Sequence, residues 1–100
     1  MVSNGQDSLR QQVTRLLAGG IATAREPVPQ TSEEAREIIE ALMGNTTLEH
    51  KLVTAGFALH PRDGQRCKEC MYYRVTARWC VLPELNLPAE EDWWCRLWRI

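Results

Sequence analysis

Every cysteine of this hundred-residue chain lies in its last third, as Cys67-Lys-Glu-Cys70 followed by Cys80 and Cys95. Six of the seven aromatic residues crowd the same stretch: Tyr72, Tyr73, Trp79, Trp93, Trp94 and Trp98. A short segment that gathers all the thiols and nearly all the large rings reads most economically as a module built round a metal centre. Cys67, Cys70, Cys80 and Cys95 are its expected ligands. Two thiolates separated by two residues can both point inward from one tight turn, which is why this spacing recurs in metal sites. The two single cysteines must then arrive from elsewhere in the fold. Without its metal the module is expected to be molten or unfolded, because structural metal binding supplies folding free energy directly.

The rest of the composition sets the compartment. Hydrophobic content of 44% and charged content of 25% are ordinary for a globular protein. A formal net charge of −1 gives no overall attraction to nucleic acid or anionic membranes. The start Met-Val-Ser-Asn-Gly-Gln-Asp has neither a basic region nor an apolar run, so no signal peptide is expected. No stretch approaches the roughly 20 apolar residues of a membrane span. A cytoplasmic location follows as the expectation, and there a cysteine cluster reads as ligands before disulfides. Two disulfides are the alternative in an exported protein, and four thiols serving as small apolar core residues are another.

Residues 1–56 read as helical. Asp7 or Ser8 is placed to cap a first helix with Leu9, Val13, Leu16 and Leu17 on one face, and Gly19-Gly20 ends it. Residues 21–30, with Pro27 and Pro29, form a linker. Thr31 and Glu34 form a capping box for a second helix, whose stripe is Ala35, Ile38, Ile39, Leu42 and Met43, with Gly44 as its stop. Thr46 and Glu49 repeat the signal for a third helix, with Leu48, Leu52 and Val53 inward and Gly56 at its end. Such narrow stripes need a partner surface, so the helices should pack on each other and on the aromatic module.

Residues 57–100 read as short extended pieces. Phe57 to Pro61 precedes the turn Pro61-Arg-Asp-Gly64. Met71–Val75 and Arg78–Leu82 each read as a strand, with Thr76-Ala77 between them as a hairpin. Pro83 and Pro88 break the chain, Ala89–Asp92 suits a single helical turn, and Trp93–Ile100 reads as extended. The predicted fold is a small α+β protein of about three N-terminal helices packed on a four-cysteine module. Residues 1–56 and 57–100 are its two parts, within two units or one compact domain.

Zinc ribbons usually carry two close cysteine pairs, whereas here Cys80 and Cys95 stand alone, ten and twenty-five positions past Cys70. This arrangement, with Trp94 before Cys95 and Trp98 three after it, resembles the cluster-binding half of high-potential iron–sulfur proteins over residues 67–98. The resemblance implies that Cys67, Cys70, Cys80 and Cys95 bind a [4Fe–4S] cluster, with Tyr73, Trp94 and Trp98 as its aromatic shield. Related cluster modules also occur as small accessory subunits of larger enzymes. The closing Cys-x-x-Trp-Arg resembles, more loosely, tails of small proteins on bacterial mobile elements. Zn²⁺ and [4Fe–4S] both stand as expectations for the centre.

Other functions find less footing. Arg66, Lys68, Arg74 and Arg78 interleave with Tyr72, Tyr73 and Trp79, as in proteins that hold single-stranded nucleic acid. Glu84, Glu90, Glu91 and Asp92 follow, so internal charge pairing competes with that reading. His50 should be a surface residue on the third helix, while His60 is a substitute ligand at best. No nucleophile motif or phosphate-binding glycine loop is present, and a thioredoxin-type frame is missing round Cys67-x-x-Cys70. The expectation is a non-enzymatic, metal-stabilised module that binds a protein or nucleic-acid partner and no small-molecule substrate. The alternatives are an electron-transfer or accessory [4Fe–4S] subunit, and a phage- or plasmid-encoded inhibitor of a host complex.

Overall fold

The computed structural model describes residues 4–100, with side chains from residue 8 onward. Three helices, α1 (Asn4–Ala18), α2 (Ser32–Gly44) and α3 (Leu48–Ala55), precede a three-stranded antiparallel sheet. Its strands β1 (Tyr73–Arg74), β2 (Trp79–Cys80) and β3 (Leu87–Pro88) lie in the order β1-β2-β3. The molecule is a small α+β fold. α1 packs on β3 and α3, and α2 packs on α3.

The helices follow their apolar stripes, with three local departures. α1 is already helical at Asn4, so Asp7 and Ser8 lie within it and neither is its cap; the Asp7 side chain is outside the described residues. Val13 is fully buried, and Leu9, Leu16 and Leu17 pack against the core. On α2, Thr31 Oγ1 accepts the Glu34 amide at 3.2 Å, as the capping signal requires. Ile38 and Leu42 are buried, but Met43 at the end of the stripe is 66% exposed. The cap of α3 is Thr47, one residue later than the spacing suggested. Asn45 Oδ1 accepts the Thr47 amide at 3.0 Å, and that local turn leaves Thr47 extended, with its hydroxyl on the His50 amide.

Gly56 ends α3 at φ 67°, donating its amide to the carbonyls of the last turn. A Cβ here would stand 2.5 Å from the Ala24 carbonyl oxygen and 2.9 Å from Arg96 Cγ. Glycine is therefore required by both conformation and space.

The C-terminal half contains little regular structure. β1 and β2 are shorter than the runs Met71–Val75 and Arg78–Leu82, since Arg78 takes the left-handed conformation at φ 52° and Pro83 stops the ladder beyond Val81. Pro88 does not break the chain: it pairs opposite Trp79 in β3, at the sheet edge where a missing amide costs nothing. Ala89–Asp92 runs into one hydrogen-bonded turn, Trp93 N–H to Glu90 O at 3.1 Å, with no helix. The tail is extended only at its start, where Trp94 bridges Ala58; it turns after Cys95 with Trp98 N–H on the Cys95 carbonyl. Of Phe57–Pro61, expected to be extended, only Ala58 pairs, at that same bridge, and the chain bends at Leu59 and His60. One buried apolar cluster runs from Val13, Leu42 and Leu52 to Tyr73, Cys80 and Cys95, so both halves share a core.

Candidate metal centre

Asp63-Gly64 forms a tight two-residue turn, with φ of 52° and 77° and reciprocal backbone bonds between Arg62 and Gln65. Both positive angles suit this Asp-Gly pair. The turn sends the chain into the 3₁₀ turn Cys67–Glu69, closed by Cys70 N–H on Cys67 O at 2.9 Å. The tail locks across this turn from both sides. Cys67 N–H donates to Trp93 O at 2.8 Å, and Met71 N–H donates to Arg99 O at 2.6 Å. Cys80 sits on β2 opposite Tyr73, and Cys95 follows the Trp94 bridge.

These elements bring all four cysteines to the wall of one small cavity, together with Phe57, Tyr73 and Trp98. All four are free thiols; Cys67, Cys80 and Cys95 are buried and Cys70 half-buried. The ring heteroatoms are occupied elsewhere. Tyr73 O–H donates to Ala89 O at 2.9 Å and Trp98 Nε1 donates to Arg66 O at 2.7 Å. The cavity therefore offers sulfur and hydrocarbon only.

Burial pushes the Cys67 thiol up to about 12, with Cys80 and Cys70 adding repulsion to its thiolate. Burial raises Cys80 to about 11 and Cys95 well above the ordinary thiol range. Every pair among the four sulfurs interacts in this way. Opposing the burial, the Leu82 backbone draws the Cys80 thiol back down and the Leu97 backbone does the same for Cys95, because a polar donor nearby favours the thiolate. Without a cation the buried thiols hold their protons near neutral pH; a bound metal would displace those protons. Among the described residues, no three Cys, His, Asp or Glu side chains meet closely enough to grip a single ion. All four cysteines nonetheless line the one cavity.

The other predicted site residues fall elsewhere. Trp94 does not line the thiol cavity. It alternates with Cys95 to the opposite side, where Arg62 stacks 5.0 Å above its ring and Gln65 accepts its indole N–H. Phe57 takes the place expected of Trp94 at the cavity wall. Arg66 pairs with Glu69 at 2.8 Å and Asp92 at 3.5 Å, and Arg78 pairs with Glu90 at 3.2 Å. Arg74 reaches only the Met71 carbonyl, and Lys68 joins none of the ion pairs among the described residues. His60 is exposed and apart from the thiols. His50 is half-buried, its ring against the Ala41 carbonyl of α2 at 2.9 Å, so it ties two helices together. No family model, curated protein or solved structure matched this chain when compared.

Proposed function

We propose that this protein is a non-enzymatic interaction module whose C-terminal half is locked by one inorganic centre on Cys67, Cys70, Cys80 and Cys95. The observation that carries this reading is the convergence of four free thiols, drawn from three separate stretches of chain, on a single sulfur-and-hydrocarbon cavity.

The donor set fits a [4Fe–4S] cluster, which takes one thiolate per iron. Bound there, such a cluster supplies a framework of metal–sulfur bonds and a one-electron couple. The chain's own residues would hold it: the four cysteines as thiolate ligands, with Phe57, Tyr73 and Trp98 keeping water away from them. Zinc is the second reading, favoured by the 3₁₀ turn that presents Cys67 and Cys70.

A protein partner is favoured over nucleic acid, because Arg66 and Arg78 are engaged by carboxylates of the same chain. The deciding experiment is iron, sulfide and zinc analysis of protein isolated without oxygen. Iron and sulfide in equal amounts, with visible absorption, support the cluster; colourless protein with stoichiometric zinc supports the second reading. Metal-free, folded protein sinks both. Binding to single-stranded DNA that weakens steeply with salt would overturn the choice of partner class.

A further inference from the structure

A second cavity, of about 270 Å³, lies between the start of α2 and the C-terminal tail. Ile39 and Leu97 give it aliphatic surface, and Tyr72 and Trp98 give it two rings. Trp98 is thus a wall shared with the thiol cavity. No carboxylate lines it, whereas Arg96 and Arg99 do. Arg96 donates through Nε to the Pro27 carbonyl at 3.4 Å and lies 3.7 Å from Glu26, whose carboxylate is largely exposed. Arg99 joins none of the ion pairs among the described residues.

We propose that this cavity binds a carboxylate carried on a small apolar group. Its volume lies just below the range of about 300–1,000 Å³ typical of small-molecule sites, so it suits one ring or one branched side chain. The apolar part lies between Ile39, Leu97 and the two rings. The carboxylate meets the guanidinium groups, whose fork of donors matches two oxygens. Two sources share that chemistry: a free small carboxylate, and the terminal residue of a partner chain captured by its carboxylate. The proposal rests on the lining of this cavity and stands apart from the choice of metal.

Isothermal titration of the full, metal-loaded protein tests it with phenylacetate, phenylacetamide, and a peptide ending in phenylalanine as either free acid or amide. The acids are expected to bind at least tenfold more tightly than their neutral amides. Arg99→Gln should weaken them about tenfold, and Ala35→Phe, which fills the cavity from α2, should abolish binding. Unchanged far-ultraviolet dichroism and metal content confirm that both variants fold. Tight binding of phenylacetate alone assigns a small molecule; tight binding of the peptide acid alone assigns a partner's terminus. Amides binding as well as acids, no binding by either acid, or indifference to both variants would overturn the proposal. Acid binding by samples that analyse free of metal would leave this site standing and remove the metal reading.

Discussion

The two halves of this molecule are held together by different kinds of bond. In the helical half each element is stabilised locally, by Thr31 and Thr47 at the N-termini, Gly56 at a C-terminus, and aliphatic stripes facing inward. In the thiol half the strands are two residues long, too short to stabilise themselves. Single long-range bonds do that work: Cys67 to Trp93, Met71 to Arg99, the Tyr73 hydroxyl to Ala89 and the Trp98 indole to Arg66. The apolar core shared with the helices adds to them, and the four cysteines line one cavity beside it.

The sharpest way to break this comparison is to remove one sulfur. Cys80→Ser or Cys95→Ser should forfeit most of the roughly 10–16 kcal/mol that a structural metal contributes. Near-ultraviolet dichroism and tryptophan emission should collapse, with a smaller loss of helical far-ultraviolet signal. A variant that keeps its tryptophan signal would mean that the thiol half holds itself together.

The next largest effect concerns pH. Burial raises the metal-free Cys67 and Cys80 thiols to about 12 and about 11 from 9.0. A raised thiol is protonated at neutral pH, so a metal must displace that proton. Apparent affinity for a divalent probe such as Co²⁺ should therefore rise as pH increases from about 6 to 9, by up to tenfold per unit for each proton released. Acid should release the metal. A titration that is flat with pH would argue against thiolate ligation.

Gly56 lies at the seam between the halves, against the linker at Ala24 and the tail at Arg96. Gly56→Ala combines a left-handed backbone cost of about 1–2 kcal/mol with a clash against the Ala24 carbonyl. Thermal denaturation should show a loss of at least about 2 kcal/mol, lowering both halves together. The smallest expected difference is local to α3. Thr47→Ala should cost about 1 kcal/mol, while Thr46→Ala stays within about 0.5 kcal/mol. Equal effects of the two would contradict the Thr47 cap.

These contrasts also explain what was legible in the sequence. Apolar spacing and caps are local signals, so α2 and α3 could be read nearly to their ends. The error at Thr46 arose because Asn45 competes through a turn that no periodicity reports. Strands of two residues carry no alternation, which hid β3, and Pro88 at a sheet edge looks like a chain break until its neighbours are known. The clustering of Cys67, Cys70, Cys80 and Cys95 was plain from composition. Which ring faces them was not, because Trp94 and Cys95 occupy opposite sides of one extended segment, and Phe57 arrives from ten residues ahead of Cys67.

X-ray absorption at the metal edge of freshly isolated protein tests the shared centre most directly. The account predicts a first shell of sulfur alone, with a short metal–metal distance if the centre is the cluster and none if it is zinc. A first shell dominated by nitrogen or oxygen, or protein that is folded yet carries no metal, would contradict it.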